Sequence, residues 1–188
     1  MTGEPARSRP SGDRVFFPLA TAYGALAVPL WIAAHLAAVA PITPAMHARE
    51  MLLGYAPAVM AGFLMARPQH RALAALVLAW CAARAAAFAP LPPALAWPAG
   101  LAFPVLLFAF AGLPFLRTLK SAANAPFGPL VGLLAAMELA FLLEAPGAAP
   151  GALHLVVLML MAMGGRILPA VTAGALRDGG AVLADRGR

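Results

Sequence analysis

The sequence predicts an all-α integral membrane bundle of six transmembrane helices with both termini in the cytoplasm. Three observations carry that prediction. The chain of 188 residues is 63% hydrophobic and 11% charged, with mean hydropathy +0.86. A soluble domain carries about 25% charged residues and less than half apolar ones, so only lipid relieves this excess of apolar surface. Six apolar runs are each long enough to cross a hydrocarbon core of about 30 Å, which takes roughly 20 helical residues. The basic residues collect in alternate connections between those runs.

The runs cover residues 15–39, 46–66, 71–89, 94–116, 126–144 and 151–170. Breakers separate each pair. Pro41-Ile42-Thr43-Pro44 follows the first, Arg67-Pro68-Gln69-His70-Arg71 the second, and Pro90-Leu91-Pro92-Pro93 the third. Residues 117–124 follow the fourth, and the Pro- and Gly-rich stretch 145–151 follows the fifth. Pro29, Pro57, Pro104 and Pro114 fall inside runs and predict kinks, which membrane helices tolerate when neighbours satisfy the freed carbonyls. The division is a cytoplasmic N-terminal tail (1–14), a six-helix transmembrane domain (15–172) and a cytoplasmic C-terminal tail (173–188).

Charge tests this division independently. Arg7, Arg9 and Arg14 precede the first run, and Arg67 and Arg71 lie between the second and third. Arg117 and Lys120 lie between the fourth and fifth, and Arg177, Arg186 and Arg188 end the chain. Six spans place all four groups on one side, which the positive-inside rule makes cytoplasmic. Arg49 is the exception on the opposite side. Five spans would break the alternation. The run 15–39 exceeds the roughly 7–15 apolar residues of a signal peptide, so it is read as an uncleaved first span.

The net charge of +6 and pI near 11.1 are explained by topology, and no nucleic-acid partner is inferred. Cys81 is the single cysteine. An intrachain disulfide and a four-cysteine zinc or iron–sulfur centre within one chain are therefore excluded. Phosphate-binding, dinucleotide-binding and nucleophile-elbow motifs are missing from the sequence, and no defined reaction is assigned.

Ionisable side chains at membrane depth are costly and mark candidate sites. With odd runs directed outward, His35, His47, Glu50, Arg84, Glu138, Glu144 and His154 fall in the outer third, whereas His70 falls in a cytoplasmic connection. His47 and Glu50 are three apart and share a helix face, with Gly54 continuing the stripe. That pattern offers a ligand and a carboxylate to orient it. His35, His47 and His154 are the candidate metal ligands. Paired histidines on different helices suit a haem iron, and a histidine with Met46 or Met51 suits copper. The competing reading makes each histidine an interfacial polar residue.

Arg84 and Glu138, at similar depth, are expected to form a structural ion pair. The methionines 159, 161 and 163 alternate and are read as core packing. Trp31, Trp80 and Trp97 are read as interface or packing aromatics. Arg166 lies deep in the inner half of the sixth run, within Gly164-Gly165-Arg166-Ile167-Leu168-Pro169. An arginine there grips a carboxylate or another anion, such as a haem propionate, or snorkels to the inner interface.

Two stretches carry a family resemblance. Met46-His47-Ala48-Arg49-Glu50-Met51-Leu52-Leu53-Gly54-Tyr55, continuing through Val59-Met60-Ala61-Gly62-Phe63-Leu64, resembles the second-span signature of the NnrS family, roughly W-H-x-H-E-M-x-x-G-F and then A-G-F-L. Met163-Gly164-Gly165-Arg166-Ile167-Leu168-Pro169-Ala170-Val171-Thr172 is similar to the family's G-G-R-x-I-P-x-F-T. The opening Phe16-Phe17-Pro18-Leu19, with Pro29-Leu30-Trp31, also fits. The resemblance implies a multi-pass protein of the bacterial inner membrane, holding haem (a b-type is the expectation) or copper and tied to the nitric oxide response. It carries over His47, Glu50 and Arg166 as motif residues. Arg49 stands at the family's second motif histidine, which removes one potential ligand. Family members typically have about twelve spans, so a homodimer or a larger membrane complex is a further implication. Two other functions fit the same residues. A transporter or channel subunit would line a polar path with Glu50, Arg84 and Glu138. A non-catalytic subunit would use its small-residue faces for docking.

Overall fold

The computed structural model describes residues 11–37, 42–66, 68–117 and 124–186. Residues 1–10 of the expected N-terminal tail, and Arg67, Lys120 and Arg188 among the predicted cytoplasmic charges, lie outside the described residues. The described residues form six continuous helices and no strand. Helix α1 is Gly12–Ala37, α3 is His70–Phe88, α5 is Phe127–Leu142 and α6 is Ala148–Arg186. Helix α2 joins Pro44–Arg49, a π-helical turn Glu50–Tyr55, and Ala56–Leu64. Helix α4 joins Pro93–Leu107, a π-helical turn Phe108–Gly112, and Leu113–Arg117.

Local chemistry sets the helix ends. The Thr43 hydroxyl accepts from the Met46 amide at 3.1 Å, and Pro44 occupies the first turn of α2, where a missing N–H costs nothing. Pro90 stops α3, because the residue before a proline is driven out of the helical region, and Ala89 is extended. Glu144 (φ 51°) and Gly147 (φ 87°) turn the chain between α5 and α6 through left-handed conformations. Among the described residues, four helices have the length and hydropathy to cross a membrane: Gly12–Ala37, His70–Phe88, Pro93–Arg117 and Ala148–Arg177. Phe127–Leu142 is apolar but shorter. The first half of α2 carries His47, Arg49 and Glu50, which lower its hydropathy.

Contacts between helix ends show that the six helices alternate in direction. The Gly12 amide, opening α1, donates to the Met65 carbonyl just past α2 at 2.8 Å. A Cβ on Gly12 would sit 2.7 Å from Met65 Cβ, so glycine permits this approach. Arg49, near the start of α2, meets Glu138 near the end of α5, and Glu50 meets Arg84 near the end of α3. At the opposite end Phe115 of α4 packs on Phe127 of α5. Between these ends runs an apolar core that includes Phe16, Leu76, Phe103, Leu107, Leu134 and Met159.

Helix α6 departs from expectation. It continues past Thr172 to Arg186, through most of the segment read as a tail. Ala, Leu and Arg between its glycines favour the helix, and no proline follows to stop it. The Thr172 hydroxyl bonds back to the Leu168 carbonyl at 2.9 Å. Met159 and Met163 are buried as expected, whereas Met161 is 70% exposed, because a two-residue step carries it to another face of the helix.

Candidate functional site: a charged layer around a histidine–methionine cavity

The site is built on the π-turn of α2. Pro57 has no N–H for the Leu53 carbonyl, and its ring would press on that group in an ordinary helix. The turn widens instead, and the Ala56 amide donates to Met51, five residues back. Such insertions recur at functional sites. Proline alone does not dictate them, since Pro18 and Pro29 lie in helix of ordinary register.

Glu50 begins the π-turn and is 3% exposed. Its Oε2 accepts from Arg84 Nη1 at 2.8 Å and from the Tyr23 hydroxyl of α1. Gly54, one turn on, makes this possible, because any Cβ there would collide with the Arg84 guanidinium. The Gly54 carbonyl accepts from Trp80 Nε1 at 2.9 Å. A second pair lies beside the first. Arg49 Nε donates to Glu138 Oε1 at 3.1 Å, and Nη2 of the same guanidinium bonds the same oxygen. Gly100 of α4 accommodates the pair, since a Cβ there would stand 2.8 Å from Glu138 Oε1 and 3.0 Å from Arg49 Nη2.

One expectation is corrected here. Arg84 pairs with Glu50 and not with Glu138, whose partner is Arg49. Helix order explains the exchange, because α2 packs against both α3 and α5 and supplies one charge to each. Arg49, the exception to the predicted charge alternation, is thereby neutralised in the bundle. Glu50 takes its hydrogen bonds from Tyr23 and Arg84. Two polar atoms of the buried pair, Glu50 Oε1 and Arg84 Nε, have no hydrogen-bond partner.

The histidines divide. His35 and His47 both stack on the Trp31 indole, with centroids 5.7 and 4.3 Å away and planes within 16° and 23°. His154 is exposed, and its Nδ1 lies 2.6 Å from the Pro150 carbonyl of its own helix. His70 is exposed at the start of α3. No group of three or more His, Cys, Asp or Glu side chains with metal-binding spacing occurs among the described residues. A cavity of about 20 Å³ is lined by Tyr23, Trp31, Met46, His47, Glu50 and Met51, among others. His47 and Glu50 thus share a cavity, as their spacing predicts. An open cavity of about 450 Å³ lies at the same end, lined in part by Met46, Arg49, Phe141, Glu144 and Pro150.

The family model of the NnrS protein matches residues 10–187. The chain belongs to the NnrS family. No curated protein and no solved structure matches it. Family and apolar helices together make this NnrS-family chain a multi-pass membrane protein. Sequence reasoning missed Tyr23, and it read Trp31 as an interface or packing aromatic without its histidine partners. A phenol alone in an apolar run was the available signal for the first. For Trp31 the signal was a separation of four residues from His35.

Proposed function

We propose that this NnrS-family protein is a copper-binding membrane protein of the nitric oxide response or of electron transfer, with its metal held beside Trp31. The observation that carries the reading is the cavity shared by His47, Met46, Met51 and Glu50. Imidazole and thioether donors together select copper(I). Glu50 adds a buried carboxylate oxygen without a partner, Oε1. The cavity has room for about one water-sized particle. Size therefore favours an ion over a porphyrin there.

His47 would be the nitrogen ligand, with Met46 and Met51 supplying sulfur. Bound copper would supply one-electron chemistry and a site for a small diatomic ligand. Trp31 holds the His47 ring by stacking and shields it from lipid. Tyr23 and Arg84 fix Glu50 through its Oε2 and leave Oε1 free. His35 stacks on the same indole.

In this reading all six helices span the bacterial inner membrane, with both termini cytoplasmic and the charged layer facing the periplasm. The alternation of helix direction and the basic residues at one end support it. In a Cys81→Ser background, a Ser8→Cys label should react only from the cytoplasmic side. Reaction from the periplasm would invert the site.

The main test loads detergent-purified protein with copper(I) anaerobically, then measures metal content and competition with a copper(I) chelator. One copper per chain is expected. His47→Ala should weaken binding by about a hundredfold, and Met51→Leu by about tenfold. Folded protein that retains no copper, or retention unchanged by His47→Ala, would sink the proposal. Nitric oxide added to the loaded protein should give a new N–O stretch in the infrared. Without one, electron transfer is the surviving role.

A further inference from the structure

The second candidate region lies at the other end of the bundle. Arg166 is the first arginine along α6, and its side chain is exposed. Its guanidinium lies over the Phe115 ring of α4 and the Phe127 ring of α5, at 5.6 and 5.7 Å from their centroids. No carboxylate of the described residues forms a salt bridge with it. Beside it is a cavity of about 180 Å³ lined by Phe63, Leu64, Phe127, Met163, Arg166 and Ile167. The charge is therefore held in place by aromatic faces, and its hydrogen-bond donors remain unanswered.

We infer that Arg166 and this cavity bind the phosphate of an anionic lipid headgroup in the inner leaflet. At 1.5 Å per residue, Arg166 lies about 27 Å along α6 from Ala148. That is close to one core thickness below the outer end, at headgroup level. Cation–π contacts orient the guanidinium but do not neutralise it. A phosphodiester offers two acceptor oxygens in the geometry of its fork. Gly164 and Gly165 leave the adjoining backbone open, since a Cβ at either would meet nothing within 4 Å. Phe63, Ile167 and Leu168 are exposed and apolar, and would carry the acyl chains. Arg71 and Arg117, both exposed, start or end helices at the same end and add to the attraction for anionic lipid.

The test is thermal unfolding and native mass spectrometry of detergent-purified protein. Phosphatidylglycerol should raise Tm by about 5 °C and remain bound as an adduct. Phosphatidylcholine, whose phosphate is already paired with its own choline, should give less than half that shift. Arg166→Gln should remove the shift and the adduct. Arg166→Lys keeps the charge without the fork and should retain less than half, which keeps the test decisive if the glutamine variant unfolds. An equal response from both variants and wild type overturns the site. An Arg166-dependent shift of equal size with inorganic phosphate assigns a soluble anion and overturns the lipid.

Discussion

The two π-turns use one backbone device in opposite surroundings. Each ends two residues before a proline, Pro57 in α2 and Pro114 in α4. Among the described residues, the side chains against the α4 turn glycine and its neighbours are apolar. Phe108 lies over Gly112 of its own helix and Gly132 of α5, and a Cβ on Gly128 would come within 3.3 Å of the Gly112 carbonyl. Around the α2 turn stand Glu50, Arg84, Arg49, Glu138 and Tyr23. The widened turn is thus a way to accommodate proline and set helix spacing. It becomes a site only where the sequence places charge and soft donors on it. Lipid gives helices no hydrophobic reason to associate, so the α4 turn holds by close packing and the α2 turn by ion pairs.

Removing one charge from the α2 turn should have the largest effect. Glu50→Ala leaves the Arg84 guanidinium, 9% exposed, buried without a counterion. A loss of about 3–5 kcal/mol is expected, read as a drop in the unfolding midpoint of purified protein. Glu50→Gln with Arg84→Met removes both charges and should recover more than half. If the double variant is no more stable than Glu50→Ala, the pair is not what the single change disrupts.

The glycines sharpen the comparison at intermediate size. Gly54→Ala drives a methyl into the Arg84 guanidinium, which must leave Glu50 or push the helices apart. About 2–3 kcal/mol is expected, with loss of copper binding. Gly132→Ala meets only Phe108, at 3.2 Å, and a small ring shift absorbs it. Its expected cost is below about 1 kcal/mol, with copper binding untouched. Equal costs would mean that the charged turn is no more tightly built than the apolar one.

This contrast also explains what the sequence revealed. Six helices were legible because a bilayer demands long apolar runs and proline marks their ends. The gathering of polar residues at one end of the bundle was legible too, and His47 and Glu50 line one cavity there. Pairing was not, because depth says nothing about which helices are neighbours, so Arg84 was matched with Glu138. His154 shares the depth of His47, yet among the described residues its ring bonds its own helix. A depth argument finds a layer, and only helix order divides the layer into contacts. The continuation of α6 past Thr172 was missed because glycine and charge were read as a tail, when isolated glycines cost a helix only about 1 kcal/mol each.

The smallest expected stability effects are at the prolines, and they separate packing from function most directly. Pro57→Ala restores an N–H that can bond Leu53, which favours ordinary register in α2. Register change rotates the residues before the turn relative to those after it. His47 and Met46 precede the turn, whereas Met51 lies within it. The variant should therefore change stability by less than about 1 kcal/mol while weakening copper binding by about tenfold. Pro114→Ala makes the same change in α4, where no donor set depends on register, and should leave copper affinity alone. Both affinities come from the chelator competition used for His47→Ala. If Pro57→Ala binds copper as wild type does, the donors do not need the π-turn, and its place in the site is structural in the same sense as its counterpart in α4.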